Sequence, residues 1–246
     1  MNSLLDSKKK YRAELDGVRA IAVLLATGFQ FFRNIFPFGY LGVDIFAVVS
    51  GYVITSSLAS RKENNFKDFT ISFYKRRIKR LLPALLIFIL IASFITVLIH
   101  PNPGVSIRTA FFSLTGMSNI YLMNISADYF ATSSELNPFT QTWSLGVEEQ
   151  FYFIFPFLIW FTGYAQSNKK GFRNFATILV FSFSLSFVGF IFIHLINPTF
   201  AYFYTPTRLW QMIIGALSFL AWERKNNIYN FFQKIPSLFI TLVLIL

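Results

Sequence analysis

The chain has 246 residues, of which 54% are hydrophobic and only 13% are charged. Soluble domains carry about 25% charged residues, so this composition excludes an ordinary soluble protein and predicts a polytopic membrane protein. A net charge of +11 would suit a nucleic-acid-binding protein, but the basic residues lie in short segments between apolar runs, as in the loops of membrane proteins. We therefore expect no nucleic-acid partner. The absence of cysteine excludes a disulfide framework and a thiolate metal site, and we expect no metal.

Seven apolar runs predict an all-α, polytopic bundle of transmembrane helices. In chain order they cover 18–32, 39–58, 81–99, 105–123, 143–161, 175–196 and 209–222. A further run, 235–246, is shorter than the roughly 20 residues of a spanning helix, so we expect the sequence to stop within its last membrane segment. The sequence thus predicts one transmembrane domain over 1–246, incomplete at its C-terminus, with about seven or eight membrane segments.

The basic residues predict how the helices are oriented. Under the positive-inside rule we place four segments in the cytoplasm: the N-terminus, 61–80, 168–174 and 223–234. Only three of the 22 basic residues then lie outside: Arg33, Arg108 and Arg208. This orientation requires 105–123 to begin and end outside, so we predict a re-entrant, tilted or hairpin segment there. The alternative is an ordinary spanning helix, which would place the basic residues of 168–174 outside.

Two adjacent carboxylates, Glu148 and Glu149, lead directly into the apolar run 153–161. A charged residue near the bilayer centre costs roughly 2.5 kcal/mol or more, so we expect these side chains to face a protected polar cavity. The chain therefore predicts an internal site, and not a simple membrane anchor.

The first helix carries three polar positions of interest. Arg19, at the inner end, is predicted to snorkel or to pair with Asp16. Gln30 follows eleven residues later, roughly 16 Å further along a helix. An amide at that depth needs a hydrogen-bond partner, so Gln30 either joins helices together or lines a site.

The second helix opens with glycines that permit close helix approach, and Asp44 lies about one turn in. Asp44 is either a structural cap that gains from the helix dipole or a catalytic carboxylate, and both interpretations stay open. Deeper in the helix, the segment from Ser50 to Tyr52 is typical of a small-residue packing surface.

Three arginines, Arg76, Arg77 and Arg80, lie at helical spacing before the third helix, so two of them can share a face. One interpretation is an anchor that meets anionic lipid headgroups. The other is a binding site for a phosphorylated cytoplasmic donor, because arginine forms bidentate contacts with phosphate.

The segment 11–23 resembles the opening motif of the acyltransferase-3 family of membrane O-acyltransferases. Later motifs of that family fit in order at 39–55, 73–84, 134–138 with 142–152, and 206–211. The resemblance covers nearly the whole chain. It is greatest to the bacterial branch that modifies lipopolysaccharide O-antigen and other surface glycans, some of whose members carry a C-terminal SGNH-type esterase domain.

The resemblance implies an acyl-CoA donor, often acetyl-CoA, in the cytoplasm and a glycan hydroxyl acceptor outside. A first-helix histidine is the family's general base, and its position here holds Gln30. A second position that is often histidine holds Gln141. Because an amide has no usable pKa to accept a proton, the chain is expected to be a weak or inactive relative unless another carboxylate has taken the role.

The resemblance also implies roles for the remaining positions. Arg76, Arg77 and Arg80 would meet coenzyme A phosphates or anionic lipid. Glu148 and Glu149 would line or brace a cavity that Gln30 shares.

The resemblance further implies that Trp143 would line or brace the same cavity, and that Arg208 and Trp210 would border the outer mouth of that cavity. Asp16 and Arg19 would brace the first helix. The chain is thus expected to be a multi-pass protein of a bacterial inner membrane with a cytoplasmic N-terminus. Two rival hypotheses are a transporter-like protein, whose carboxylates would relay protons, and a non-catalytic membrane partner.

Overall fold

The structure is a computed structural model that describes residues 13–61, 63, 65–125, 137–166 and 170–223. The regular structure in these residues is entirely helical, which confirms the predicted class for this part of the chain. The helices are α1 (Ala13–Phe31), α2 (Leu41–Ala59), α3 (Phe66–Ile99), α4 (Gly104–Leu114), α5 (Ser118–Ile125), α6 (Thr142–Phe161), α7 (Gly171–Ile196), α8 (Pro198–Phe203) and α9 (Thr205–Glu223). The motif residues 134–136 and the apolar run 235–246 lie outside the described residues.

Three described helices, α2, α3 and α7, are long and apolar enough to cross a membrane. Two of them, α3 and α7, are also mostly unburied, so their apolar side chains face outward as lipid contact requires. Helices α1, α6 and α9 have 19, 20 and 19 residues, but none of them contains an equally apolar stretch of spanning length. The described residues therefore form a helix bundle with three candidate membrane spans, while the expected seven or eight segments stay a prediction.

Helix α3 differs from its predicted boundaries. We expected a polar connection over 61–80 before a helix over 81–99, but one helix of 34 residues runs from Phe66 to Ile99. Lysine and arginine are good helix formers, and the Asn65 side chain accepts a hydrogen bond from Lys67 N at the helix start. At 1.5 Å per residue the helix is about 51 Å long, so its basic N-terminal part extends beyond a hydrocarbon core of about 30 Å.

The segment 105–123 forms two short helices, α4 and α5, and not one continuous spanning helix. Gly116 lies between them with φ +68°, a left-handed conformation that glycine adopts without steric cost. With 11 and 8 residues, neither helix reaches the length of a membrane span. The segment is therefore not one continuous helix, and whether it crosses the membrane or returns to the same side stays a prediction.

Helix α2 is the centre of the bundle and packs against α1, α6 and α9. Glycines make these contacts close, as predicted. A Cβ at Gly42 would lie 2.3 Å from Ala22 O of α1, and a Cβ at Gly51 would lie 1.9 Å from Met212 O of α9. The backbones therefore approach too closely to admit any side chain at these positions.

Candidate functional site

Two polar groups of side chains lie at different levels of α6. The first group begins at Gln141, the residue directly before the helix. Gln141 Nε2 donates a hydrogen bond to Gln30 Oε1 of α1 at 2.5 Å. Both glutamines are exposed. The two positions at which histidine is expected from the family resemblance therefore meet, and together they can offer a donor and an acceptor to a hydroxyl.

Asp44, in the first turn of α2, is bound by two side chains of α9. Arg208 Nη1 lies 3.2 Å from Asp44 Oδ1, and Gln211 Nε2 donates to the same oxygen at 2.7 Å. The Arg208 side chain is only 8% exposed, so its charge depends on this partner. The structural interpretation of Asp44 thus has direct support, since the carboxylate joins α2 to α9.

Aromatic rings surround the Arg208 guanidinium. Its central carbon lies 4.6 Å from the ring centroid of Tyr202 and 5.6 Å from that of Trp143, distances at which cations are attracted to ring faces. Trp143 is buried, while Trp210 is half-buried and packs edge-on against Phe187. Trp143 is two residues from Gln141, so this cage connects the amide pair to the Asp44 ion pair.

The second group is centred on Glu148, which is buried seven residues further along α6. Ser50 Oγ of α2 donates to Glu148 Oε1 at 2.9 Å, and Tyr152 OH donates to Oε2 at 2.9 Å. Arg77 Nη2 of α3 lies 3.9 Å from Oε2. The protected polar environment expected for Glu148 therefore exists, and it is built from three other side chains.

Arg77 faces inward, while its two companions do not. Its guanidinium carbon lies 3.2 Å from the ring centroid of Tyr152, and its charge also attracts Glu149. Arg76 is exposed and lies 3.9 Å from Glu63, and Arg80 is exposed. Of the three arginines, Arg76 and Arg80 are thus the two that are exposed to an external phosphate.

The Glu149 carboxylate reaches the break between α4 and α5. A Cβ at Gly116 would lie 2.5 Å from Glu149 Oε2, so the carboxylate packs directly over the glycine backbone. The expected single cavity shared by Gln30, Glu148 and Glu149 is therefore corrected to two levels. Seven residues separate Gln141 from Glu148, about 10 Å along a helix. An apolar groove between α6 and α7 is lined by none of these residues.

Arg19 and Asp16 pair within α1, as predicted, with 3.9 Å between Nη1 and Oδ1. The Asp16 side chain is half exposed, which makes this a weak contact. Arg19 also lies 5.9 Å from the ring centroid of Phe46 of α2. The pair therefore braces the first helix against the second.

The connection between α2 and α3 contains a buried arginine that the sequence did not distinguish. Arg61 Nη1 donates to Ser72 Oγ at 2.6 Å and to Phe69 O at 3.2 Å. Burial, with the nearby Arg76 charge, lowers the pKa of Arg61 to about 10, against the opposing effect of Glu63. Burial would raise the pKa of Glu63, but the Ser72 hydrogen bond, its own backbone hydrogen bond and both arginines lower it below its usual value.

Three polar side chains, of which Asn119 and Thr205 are buried and Gln150 is half-buried, were also missed from the sequence. Gln150 Nε2 donates to Gly116 O and to Asn119 Oδ1, and Thr205 Oγ1 donates to Gln150 Oε1. Asn119 Nδ2 donates to Phe203 O and Thr205 Oγ1. This closed network fixes α5, α6 and α9 to each other. The sequence offered one indication of this network: Gln150 directly follows the two glutamates.

Comparison with known proteins identifies relatives along nearly the whole chain. A family profile described as an acyltransferase domain matches residues 12–246. The O-acetyltransferase OatA of Staphylococcus aureus is 33% identical over 216 residues, which are 87% of this chain and 35% of that protein. The putative peptidoglycan O-acetyltransferase YrhL of Bacillus subtilis is 33% identical over 233 residues, 93% of this chain and 36% of that protein.

The peptidoglycan O-acetyltransferase OatA of Listeria monocytogenes is 30% identical over 216 residues, 87% of this chain and 34% of that protein. The chain therefore spans about a third of the length of the curated relatives it matches. No solved structure matches it significantly. The family profile and these relatives confirm the resemblance seen in the motifs, and the chain belongs to the acyltransferase-3 family.

Proposed function

We propose that the chain is a membrane-bound O-acyltransferase that moves an acyl group, acetyl by the names of its relatives, from acyl-CoA to a hydroxyl of an extracytoplasmic glycan. The observation that carries the proposal is the contact between Gln30 and Gln141, which meet although 111 residues separate them. The relatives' names favour peptidoglycan over lipopolysaccharide as the acceptor. Membership of this family also favours an acyltransferase over a transporter.

The acceptor hydroxyl binds at the exposed amide pair. Gln30 Nε2 can donate to the hydroxyl oxygen, and Gln141 Oε1 can accept its proton in a hydrogen bond. The pair lies at the end of α1 opposite Arg19, so it faces outward if the N-terminus is cytoplasmic.

The donor binds beside the basic N-terminal part of α3. Arg76 and Arg80 are exposed there and can make bidentate contacts with the phosphates of acyl-CoA. Anionic lipid headgroups offer the same phosphate chemistry and compete for the same side chains. Arg77 does not take part in this contact, because its side chain faces Glu148.

The test is the variant Gln30→His. Glutamine cannot accept a proton, so wild-type protein transfers slowly, and restoring an imidazole raises the rate by about 10²–10⁴-fold. The measurement is the incorporation of labelled acetyl groups into cell-wall glycan by membranes that contain the full-length protein. Phe31→His is the matched control, because it adds the same ring at a neighbouring position that is 72% exposed.

The outcomes separate the remaining hypotheses. Transfer that occurs only in Gln30→His identifies a degenerate enzyme, which as it stands is a non-catalytic membrane partner. Equal rates in wild type and Gln30→His contradict the role of position 30. Absence of transfer in both proteins contradicts the proposed function.

A further inference from the structure

The buried contact between Ser50 and Glu148 has the geometry of a nucleophile beside its base. Ser50 Oγ lies 2.9 Å from Glu148 Oε1, and both residues are buried. Activated nucleophiles are recognised by a base at about 2.6–3.2 Å whose orientation is fixed by a third group. Tyr152 supplies that third group, because its hydroxyl donates to the other oxygen of Glu148.

Packing alone does not account for the orientation of Ser50. Hydroxyl side chains in the helices of this protein commonly donate to the carbonyl four residues earlier, as Thr55 does to Gly51 O and Ser184 does to Val180 O. Ser50 instead donates to a carboxylate 98 residues away. The close contact between α2 and α9 is already provided by Gly51, the next residue.

We propose that Ser50 is a nucleophile that carries the acyl group as an ester, with Glu148 as its base; this rests on the proposed function. Ser50 Oγ attacks the carbonyl carbon of the acyl thioester while its proton passes to Glu148. The tetrahedral intermediate then breaks its C–S bond, and the coenzyme A thiolate leaves with the proton from Glu148. The products are the Ser50 ester, free thiol and the original carboxylate.

A second step returns Ser50 to its starting state. The acceptor hydroxyl attacks the ester carbonyl and gives its proton to Glu148, the C–O bond to Ser50 breaks, and the serine oxygen takes that proton back. In this scheme Glu148 performs the proton transfer for which Gln30 lacks a suitable group. The amides at Gln30 and Gln141 lie about 10 Å away along α6, so in this scheme they bind a neighbouring hydroxyl of the glycan and not the reacting one, and Gln30→His changes the rate little.

The position of Ser50 suits an acyl group that is transferred in two steps, first from the donor to Ser50 and then from Ser50 to the acceptor. Ser50 lies six residues beyond Asp44 on α2, about 9 Å further from the outer end of that helix. On its other side, Glu148 lies beside Arg77 of α3, within the basic segment expected to meet the donor. The ester would therefore stand between donor and acceptor.

The experiment uses the full-length protein in inverted membrane vesicles, given isotopically labelled acetyl-CoA without glycan acceptor. Peptide mass spectrometry is expected to find the label on Ser50. Ser50→Ala should abolish this label, and Glu148→Gln should slow labelling about 10²–10⁴-fold. Ser57→Ala is the matched control on the same helix, because Ser57 accepts hydrogen bonds from Ser60 and Arg61 through its backbone carbonyl, which alanine retains.

A second variant keeps the test informative if Ser50→Ala folds poorly. Ser50→Cys creates the only cysteine in the chain, and its label should become a thioester that neutral hydroxylamine removes. Glycan acetylation by wild type with no label on Ser50, and an equal rate in Ser50→Ala, would overturn the inference and leave the proposed function intact. Absence of both label and transfer would overturn the two together.

Discussion

Arg208 is the most completely enclosed charge of the first polar group, and the protein's stability depends on the one carboxylate that pairs with it. Its side chain is 8% exposed and lies 3.2 Å from Asp44. Replacing Asp44 with alanine leaves a buried cation without a counter-charge, which typically costs about 3–5 kcal/mol. We expect Asp44→Ala to lower the free energy of unfolding by that amount, measured by denaturant unfolding in detergent micelles.

The control is Asp16→Ala, which breaks an ion pair whose carboxylate is half exposed. Such surface pairs contribute about 0–1 kcal/mol, so this variant should remain near wild type. The double variant Asp44→Ala with Arg208→Met should recover part of the loss, because it removes the unpaired charge as well. Similar losses in Asp44→Ala and Asp16→Ala would contradict the importance of the buried pair.

Contacts of individual site residues could be predicted from the sequence where both partners lie close together in one helix. The pairing of Asp16 with Arg19 follows from their spacing within one helix. Tyr152 could have been found in the same way, since it lies four residues after Glu148 and binds it. Ser50 could not, because its partner belongs to another helix and no periodicity within α2 indicates which hydroxyl meets a carboxylate.

At the scale of elements, the contact between α2 and α9 depends on two glycines. A Cβ at Gly51 would lie 1.9 Å from Met212 O, and a Cβ at Gly215 would lie 1.9 Å from Val48 O. Neither helix backbone can make room for a Cβ atom unless the two helices move apart. We expect Gly51→Ala to cost at least the 1–3 kcal/mol that is typical of overpacking, measured as a lower thermal unfolding temperature in detergent.

Gly189→Ala is the matched control, because a Cβ there meets no atom within 4 Å. Alanine is about 0.5–1 kcal/mol more favourable than glycine inside a helix, so this variant should be unchanged or slightly more stable. An unfolding temperature for Gly51→Ala equal to that of Gly189→Ala would show that the backbones are not held in close contact.

Helix boundaries were predicted well where apolar runs decide them and poorly where polar residues continue a helix. The runs 143–161 and 175–196 lie within α6 and α7. The start of α3 was misplaced because we took its charged residues as a connection, although they have high helix propensity. At the break, Gly116 has the left-handed φ that glycine adopts without steric cost, and the Glu149 carboxylate packs against it.

Across the whole molecule, the polar residues along α2 and α6 become more buried from one end to the other. They run from the exposed amide pair to the buried carboxylate of Glu148. Asp44 and Ser50 lie on α2, Gln141 lies directly before α6 and Glu148 lies within it, and each α2 residue has its partner on another helix. The partners are 164 residues apart for Asp44 and 98 for Ser50. A single sequence contains no information on such distant pairs except through family resemblance. The resemblance therefore identified the positions, and the structure identified the contacts.

The orientation of this path in the membrane leads to the last prediction. The chain has no cysteine, so single substitutions can be labelled without background by a maleimide that does not cross membranes. The positive-inside distribution predicts that Asn34→Cys and Asn102→Cys react from the outer side. Lys67→Cys and Gln166→Cys should react only in inverted vesicles, and all four positions are exposed in the structure.

Gln166 decides between the two arrangements of the segment 105–123. If α4 and α5 enter and leave on the outer face, α6 runs inward and Gln166 is cytoplasmic. If the two short helices together cross the bilayer, Gln166 lies outside and its cysteine reacts in right-side-out vesicles, while Lys67→Cys still does not. The second result would reverse α6 and place Gln141 on the cytoplasmic side, away from Gln30 at the outer end of α1, and would contradict the contact between the two amides.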